Sequence, residues 1–444
     1  MRVVFCLWPN AAHLYPLVPL AWALQSAGHE VRVVSHHTLQ ASTVAVGLPA
    51  VSVGSPDMIP MGPGNPYPEE RGRLAELTEV LAPTGGERDP WDVFTHFMLP
   101  SIWDFSPVEP AEEERFRAVD DLVAFAKDWK PDLVLWDPCF PIGAVAAVAS
   151  GAAHARLLWG QDYFGWSRNL VRSRRSDAPG ITAEEPLAAA LAPSARRHGV
   201  EVDEDLLLGQ WTLDPLPEAM RLPTGVPAVP VRWVPYAGQT PVPEWLRQET
   251  GRPRIALSLG LSQRMFLKGG WGHVPALLEA LGGLDVDVVA TLDATQLDGS
   301  DIPSNVRTVD YLPLNQLLPA CNAIIHHGGV GTFAAAAALG IPQLITDSDD
   351  DHGVTAAAGE GMEASKHVES SITAGYVTSR GAGLRLDHRT QTVEDIRESL
   401  RRVLKDPAFH KGAARVRSEI LASPAPPAVV SALEELAALH KGTP

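Results

Sequence analysis

Cysteine is scarce in this chain. The 444 residues contain three, Cys6, Cys139 and Cys321, which lie far apart. An odd number of separated cysteines without a CxxC pair fits neither a disulfide framework nor the ligand spacing of a structural zinc site. We therefore predict buried, reduced thiols and a cytoplasmic protein.

Long hydrophobic runs are also missing. The first segment, "MRVVFCLWPN", has a short apolar run that stops at Pro9, too short for the core of a signal peptide. The most apolar long stretch, Phe333 to Ile345, contains Pro342 and is too short to span a bilayer. These features predict a soluble, intracellular protein that does not associate with membranes.

Positive charge is in deficit. The formal net charge of −17 at pH 7 would repel a phosphate backbone, and no basic patch stands out, so nucleic acid is excluded as a partner. Hydrophobic residues make up 45% of the chain and charged residues 20%, which is typical of globular proteins. The length exceeds what one hydrophobic core usually serves, so we expect more than one domain.

The chain does contain an alternation of short apolar runs and helical segments. A strand at 2–8, a helix at 16–28 and a strand at 29–36 open the pattern, and it restarts at 254–260 after a cluster of prolines between 226 and 250. Further strands are predicted at 50–55, 131–137, 155–160, 285–292, 305–312, 322–327 and 342–346.

This pattern predicts an α/β protein with two facing, doubly wound, Rossmann-like domains. We place the N-terminal domain at 1–225, a linker at 226–250 and the C-terminal domain at 251–425. An amphipathic helix at 426–444 is expected to return to the N-terminal domain. Ligands of such sheets bind beyond the carboxyl ends of the strands, so we expect them in a cleft between the domains.

The stretch "IIHHGGVGTFAAAAALG" (324–340) predicts an anion site at the start of a helix. Glycines let the backbone approach a ligand closely, and the N–H groups of residues 331–333 with the helix dipole favour a negative charge, most simply a phosphate. His327 can add a donor, whereas His326 is expected to point to the opposite side of the strand and pack there.

Two other interpretations of this stretch stay open. Gly329-x-Gly331-x-x-Ala334 fits a dinucleotide-binding fingerprint, with Asp347 ending the next strand, and would indicate an NAD-dependent oxidoreductase. Alternatively, the glycines only let the helix pack closely on its strand.

A candidate base comes from the first half of the chain. His13, in the loop "PNAAH", and Asp137, at the end of "PDLVLWD", are expected at the same edge of the N-terminal sheet. A histidine whose other ring nitrogen bonds a carboxylate is held in one tautomer and is a better general base. No nucleophile elbow and no metal-ligand spacing accompanies the pair. We therefore predict a base that deprotonates a substrate hydroxyl; a lone surface histidine is the alternative.

The acidic stretch "DSDDDHG" (347–353) allows three interpretations. Carboxylates at alternate positions can bind a divalent metal ion. The stretch could instead be a solvated loop or recognise a sugar, and an amino group on that sugar could pair with Asp349 or Asp350.

Over nearly its whole length, the sequence resembles the family 1 glycosyltransferases of the two-Rossmann GT-B type. Within that family, it is most similar to the bacterial deoxysugar transferases that decorate macrolide and anthracycline antibiotics. "GQWTLDPLPEAMRLPTG" (209–225) is similar to the desosaminyltransferase-like subgroup, which commonly needs an auxiliary protein shaped like a cytochrome monooxygenase without haem. The other stretches that carry the resemblance are "LVPLAWALQSAGHEVRVV" (17–34), "KPDLVLWDP" (130–138), "VPEWLR" (242–247), "IPSNVRTVDYLPLNQLLP" (302–319) and "HHGGVGT" (326–332).

The resemblance implies an inverting, metal-independent enzyme that moves a deoxysugar, with amino-deoxysugars included, from a TDP-sugar to a hydroxyl of a polyketide, macrolide or aromatic aglycone. It assigns His13 as the base and Asp137 as its orienting acid. The aromatic, proline-rich stretch 56–110 is expected to form the acceptor pocket or a partner interface. Donor-binding residues implied are Gly260, Ser262, Leu312 in the segment 311–314, His327, Gly328, Gly329, Gly331, Thr332, Asp351 and His352, and acceptor-binding ones Trp91, Phe94, Phe97 and Trp159.

The sequence departs from the family at two places. Asp350 and His352 flank Asp351, where the family often has a tryptophan before the acidic residue and an amide or hydroxyl side chain after it. The segment 361–381 also looks longer than its counterpart in the family.

The expected partners are a nucleotide sugar and a hydrophobic aglycone, with the auxiliary protein and a homodimer left open. Neither a cofactor nor a metal is expected. The alternative from another class is a catalytically idle paralogue that binds or regulates.

Overall fold

The computed structural model describes residues 1–56, 68–102, 116–178, 185–238, 240–248, 251–261, 273–297, 299–346, 360–387 and 390–441. The chain divides into two compact units. The first consists of Met1–Leu216, Arg221–Arg232 and Pro424–Pro444, and the second of Pro217–Met220 and Trp233–Ser423. The start of the stretch predicted as a linker therefore belongs to the first unit and its remainder to the second.

The first unit alternates strands with helices. Its strands are β1 (Arg2–Cys6), β2 (Glu30–His36), β3 (Ala50–Val53), β4 (Leu133–Trp136), β5 (Ala153–Leu157), β6 (Trp211–Asp214) and β7 (Ala228–Pro230). Its helices up to Leu208 are α1 (Ala11–Leu14), α2 (Val18–Ser26), α3 (Gln40–Ala45), α4 (Pro68–Leu81), α5 (Arg88–Val93), α6 (Leu99–Ser101), α7 (Arg117–Trp129), α8 (Ile142–Ser150), α9 (Tyr163–Asp177), α10 (Pro186–Arg197) and α11 (Glu204–Leu208).

The second unit repeats the pattern. Its strands are β8 (Arg254–Ser258), β9 (Asp287–Thr291), β10 (Val306–Thr308), β11 (Ala323–His326), β12 (Gln343–Thr346) and β13 (Gly383–Leu386). Its helices are α12 (Val274–Gly282), α13 (Ala294–Leu297), α14 (Leu314–Leu317), α15 (Val330–Leu339), α16 (Glu360–Ser379), α17 (Val393–Lys405) and α18 (Pro407–Ala422), and α19 (Pro426–His440) belongs to the first unit.

Both sheets are parallel, and in each the strand order reverses at the strand that comes first in the chain, β1 or β8. Within the described residues, the first has the order β3-β2-β1-β4-β5-β6-β7 and the second β10-β9-β8-β11-β12-β13. Doubly wound sheets bind ligands where the order reverses, here between β1 and β4 and between β8 and β11. The predicted α/β class with two Rossmann-like units is confirmed.

Three short strands, β6, β7 and β13, were not predicted as strands. β7 lies in the proline-rich segment and ends in Pro230 at a sheet edge, a position that tolerates proline because one side of the strand is unpaired.

The first βα connection is also more regular than predicted. Asn10 accepts a hydrogen bond from the N–H of Ala12 at 2.8 Å and so starts the helical turn α1, which carries His13.

Buried strands form the core of each unit. Every residue of β4 and β8 is buried, as expected for parallel strands covered on both faces. Helix α19 packs on α2 and β5, and just before it Pro424 accepts a hydrogen bond from the N–H of Arg232 at 2.7 Å. In the parts of the chain described above, no helix combines the length and the apolar character needed to cross a bilayer.

Candidate active site

His13 and Asp137 meet at the switch point of the first sheet. His13 lies on α1, just after β1, and Asp137 directly follows β4, the neighbour of β1. The imidazole Nδ1 lies 2.5 Å from Asp137 Oδ2, and the Asp137 side chain is fully buried. The structure thus brings together the two residues that the sequence singled out as base and orienting acid.

Asp137 is surrounded by N–H groups. Its Oδ2 accepts from His13 and from the backbone N–H of Trp8 at 3.3 Å, while Oδ1 accepts from the N–H of Cys139 at 2.8 Å and from Trp159 Nε1 at 3.0 Å. A buried carboxylate is tolerated when its oxygens are bonded in this way. With Nδ1–H donating to Asp137, the network assigns the free lone pair of the imidazole to Nε2, where a substrate proton can be accepted.

Two indole rings pack against the imidazole. The ring centroid of His13 lies 5.1 Å from that of Trp8 and 4.0 Å from that of Trp159. Trp159 is half-buried. The sequence grouped Trp159 with the acceptor-binding residues, and the structure places it on the His13–Asp137 pair.

The prediction that Trp91 and Phe94 line an acceptor pocket does not fit the structure, because neither side chain has any exposed surface. Trp91 Nε1 donates to Thr78 Oγ1 at 2.8 Å, and Phe94 packs edge-to-face on Phe164 at 5.8 Å between centroids. Both are core residues of the first unit. Phe97 is partly buried on the π-helical segment Phe94–Met98. Residues 57–67 and 103–110 of the aromatic stretch 56–110 lie outside the described residues.

The second unit places His327 and Gly260 at its own switch point, after β11 and β8. A Cβ on Gly260, whose φ is +84°, would lie 2.5 Å from His327 Cε1, and one on Gly329 would lie 2.3 Å from Nε2. These two glycines make room for the imidazole, a reason that the sequence did not reveal. Among the described residues, a Cβ on Gly331 would meet Trp233 alone, at 3.8 Å, which is an ordinary contact distance.

His326 is packed in the interior, as predicted. Its Nε2–H donates to Gln343 Oε1 at 3.0 Å, and its Nδ1 accepts from the N–H of Gly328 at 3.1 Å. These contacts fit one neutral tautomer. Burial lowers the pKa of His326 to about 4, against a smaller opposing effect of the Gln343 bond.

The start of α15 offers fewer donors than the sequence suggested. The N–H of Phe333 donates to the carbonyl of Gly329 at 3.0 Å and is therefore used within the helix. Helix geometry leaves the preceding N–H groups without intrahelical acceptors. Gly331 is exposed and Thr332 is buried, so the N–H groups of these two residues are the remaining candidates for holding an anion.

A carboxyl group that the sequence did not single out sits beside this helix start. Glu369 on α16 accepts a hydrogen bond from the N–H of Val330. Burial raises the pKa of this carboxyl to about 7, against a smaller opposing effect of the Val330 bond. Helix α16 is held against the turn by Thr373, whose hydroxyl donates to the carbonyl of Gly328 at 2.7 Å. No sequence signal marks Glu369, because it lies 39 residues beyond Val330 in the segment that departs from the family.

The other predicted donor-site residues are placed as follows. Leu312 is buried in a core cluster with Leu317 and Ile324, so it is a packing residue. Tyr311 is partly exposed, and its hydroxyl donates to the carbonyl of Ala237. Ser262, Asp351, His352 and the other acidic residues of 347–350 lie outside the described residues. Within the described ranges, no three His, Cys, Asp or Glu side chains converge as they would around a metal ion.

Comparison with known proteins identifies the family. The profile described as "Erythromycin biosynthesis protein CIII-like, N-terminal domain" matches residues 102–260, and its C-terminal counterpart matches 275–371 and 362–436. The chain belongs to this family of GT-B deoxysugar transferases. It is therefore a hexosyltransferase of the kind found in antibiotic pathways, and the oxidoreductase and idle-paralogue alternatives are set aside.

The similarity extends over whole chains. The aclacinomycin-T 2-deoxy-L-fucose transferase of Streptomyces galilaeus is 40% identical, over 99% of this chain and 97% of that protein. The 10-deoxymethynolide desosaminyltransferase of Streptomyces venezuelae is 39% identical, over 100% and 99%. The crystal structure of the glycosyltransferase VinC in complex with dTDP superposes with a TM-score of 0.78 at 32% identity, over 99% of this chain and 100% of that one.

Proposed function

We propose that this transferase moves a deoxysugar from a TDP-sugar to a hydroxyl group of a macrolide or aromatic polyketide aglycone, with inversion at the anomeric carbon and without a metal ion. The names of the relatives support the substrate classes, since they act on macrolide and anthracycline compounds, and VinC was crystallised with dTDP. The observation that carries the proposal is the buried His13–Asp137 pair.

In this mechanism His13 is the general base. Its Nε2 takes the proton of the acceptor hydroxyl as the oxygen attacks the anomeric carbon, and Asp137 stabilises the imidazolium through the Nδ1–H bond. A positioned base of this kind typically contributes about 10²–10⁴-fold in rate. Attack from the face opposite the leaving group inverts the anomeric configuration.

The second unit would stabilise the leaving group. As the bond from the anomeric carbon to the diphosphate breaks, negative charge develops on the departing oxygen. The N–H groups of Gly331 and Thr332 at the start of α15, assisted by His327, would stabilise that charge in place of a metal ion. Burial raises the pKa of the neighbouring Glu369 to about 7, so this carboxyl carries less negative charge at neutral pH than an exposed glutamate would.

Product analysis tests the proposal. The purified protein is incubated with a panel of TDP-deoxysugars, neutral and amino-substituted, and with macrolide and anthracycline aglycones, with and without an auxiliary protein of the haem-free cytochrome type. Mass spectrometry should detect one added deoxysugar, the coupling of the anomeric proton should report inversion, and EDTA should not reduce the rate. H13Q should lose activity by about 10²–10⁴-fold. The matched change at the exposed His410, H410Q, should not. Turnover that survives H13Q would contradict the assignment of the base.

A further inference from the structure

We propose that Trp159 is a positioning residue of the transfer reaction, which orients the His13–Asp137 pair from two sides at once. This inference rests on the proposed role of His13 as the base. It differs from the sequence interpretation, which grouped Trp159 with the acceptor-binding residues.

The first contact fixes the carboxylate. Trp159 Nε1 donates to Asp137 Oδ1 at 3.0 Å, and the backbone N–H of Cys139 donates to the same oxygen at 2.8 Å. Two donors on Oδ1 fix the plane of the carboxylate, so that Oδ2 faces His13 Nδ1. Without the indole N–H, Oδ1 keeps only the bond from the N–H of Cys139, and the plane of the carboxylate is held less tightly. A hydrogen bond to a charged, buried acceptor is among the stronger ones in proteins.

The second contact fixes the imidazole. The ring of Trp159 lies 4.0 Å from the His13 ring, centroid to centroid, closer than the 5.1 Å of Trp8. Because one indole both bonds the acid and packs on the base, a shift of either group disturbs the other. The two contacts together restrict the direction in which the Nε2 lone pair of His13 points.

Trp8 provides a matched comparison in the same site. Its ring also packs on His13, and it is buried, but its indole N–H makes no hydrogen bond in the part of the chain that the structure describes. Replacing each tryptophan by phenylalanine removes the same atoms next to the same histidine. Only the change at Trp159 removes a bond to Asp137.

The experiment measures kcat and KM for both substrates as a function of pH in the wild type, W159F, W8F and W159Q. We expect W159F to lower kcat by about 10- to 100-fold, the equivalent of one hydrogen bond to a charged group, with the acceptor KM changed by less than about threefold. With one donor fewer on Asp137, its negative charge holds the protonated imidazole more strongly, so the acidic limb of the kcat/KM profile should move to higher pH. W8F should leave that limb in place. W159Q, which can supply an N–H without the ring, should restore the position of the limb in part.

A spectroscopic measurement does not depend on turnover. In the indole region of the NMR spectrum, the Trp159 N–H should exchange slowly with solvent although its residue is half-exposed, and D137N should shift its resonance more than that of Trp8. If W159F instead raises the acceptor KM at constant kcat and pH profile, Trp159 is an acceptor wall and the inference is wrong. If the wild type transfers no sugar but the Trp159 resonance responds to D137N, the proposed function fails while the positioning contact stands. A resonance that is indifferent to D137N overturns the inference even if W159F cannot be folded.

Discussion

Replacing Asp137 by asparagine is the most direct perturbation of the site, because the change keeps the shape of the side chain and removes only its charge. Both carboxylate oxygens accept two N–H donors each: His13 and Trp8 on one, Cys139 and Trp159 on the other. An asparagine has one acceptor oxygen, so its NH2 group must face two donors whichever way the amide turns.

The cost follows from those contacts. Each buried donor that loses its acceptor costs about 1–3 kcal/mol, so D137N should destabilise the first unit by about 1–3 kcal/mol if the His13 ring changes its tautomer and by about 2–6 kcal/mol if two donors stay unpaired. If the NH2 group faces His13, Nδ1 must accept and the ring proton moves to Nε2, which leaves no lone pair for the substrate. If it faces Trp159 instead, the imidazolium still loses its carboxylate. In both cases we expect kcat to fall by about 10²–10⁴-fold.

Steady-state kinetics with a competent donor and acceptor, alongside thermal unfolding, measure both effects. D128N, an exposed position on α7, is the control and should behave as the wild type. A D137N protein with kcat within about threefold of the wild type would refute the assignment of His13 as an Asp137-oriented base, since a base in the wrong tautomer cannot keep the rate.

Three further predictions concern the second unit. G331A should fold normally, because its Cβ makes only an ordinary contact within the described residues, but it should weaken dTDP binding measured by calorimetry. G329A should instead lower the unfolding temperature, because its Cβ would collide with His327. Equal effects of the two changes would contradict this division. The pKa of His326 is lowered from 6.5 to about 4, so its side chain binds a proton more readily in the unfolded chain. The free energy of unfolding should therefore fall by about 3 kcal/mol as the pH drops from above 6.5 to below 4. H326Q should remove this pH dependence when the free energy is measured by urea unfolding. The pKa of Glu369 is raised from 4.5 to about 7, so ionisation of this carboxyl should destabilise the fold as the pH rises through that window. The unfolding temperature of E369Q should therefore exceed that of the wild type by a margin that grows from pH 5 to pH 8. A margin independent of pH would argue against a buried carboxyl.

The sequence predicted those features that depend on the order of parallel strands. His13 and Asp137 each follow a buried strand, and residues that follow neighbouring parallel strands necessarily share an edge of the sheet. The interior position of His326 followed from the alternation of side chains along a strand. These are consequences of backbone geometry, which a periodic pattern specifies.

Other features depend on side-chain packing, which no local pattern specifies. The bond between Trp159 and Asp137 joins residues 22 positions apart through the orientation of one indole ring. Trp91 and Phe94 belong to the aromatic, proline-rich stretch that was expected to form the acceptor pocket, but their burial depends on helices elsewhere in the unit, among them α9, which carries Phe164. Glu369 reaches Val330 only because α16 packs on the turn.

The path of the chain between its two units matters for engineering hybrid enzymes. A single exchange joint near residue 233 would transplant the second unit together with α19, whose packing partners, α2 and β5, would stay behind in the recipient. It would also leave Met220 in the recipient, although this side chain is part of the same core as Phe333 and Ile345. A chimera that borrows the sugar preference of a relative should therefore carry a second joint near 423 and match residues 217–220 to the incoming half.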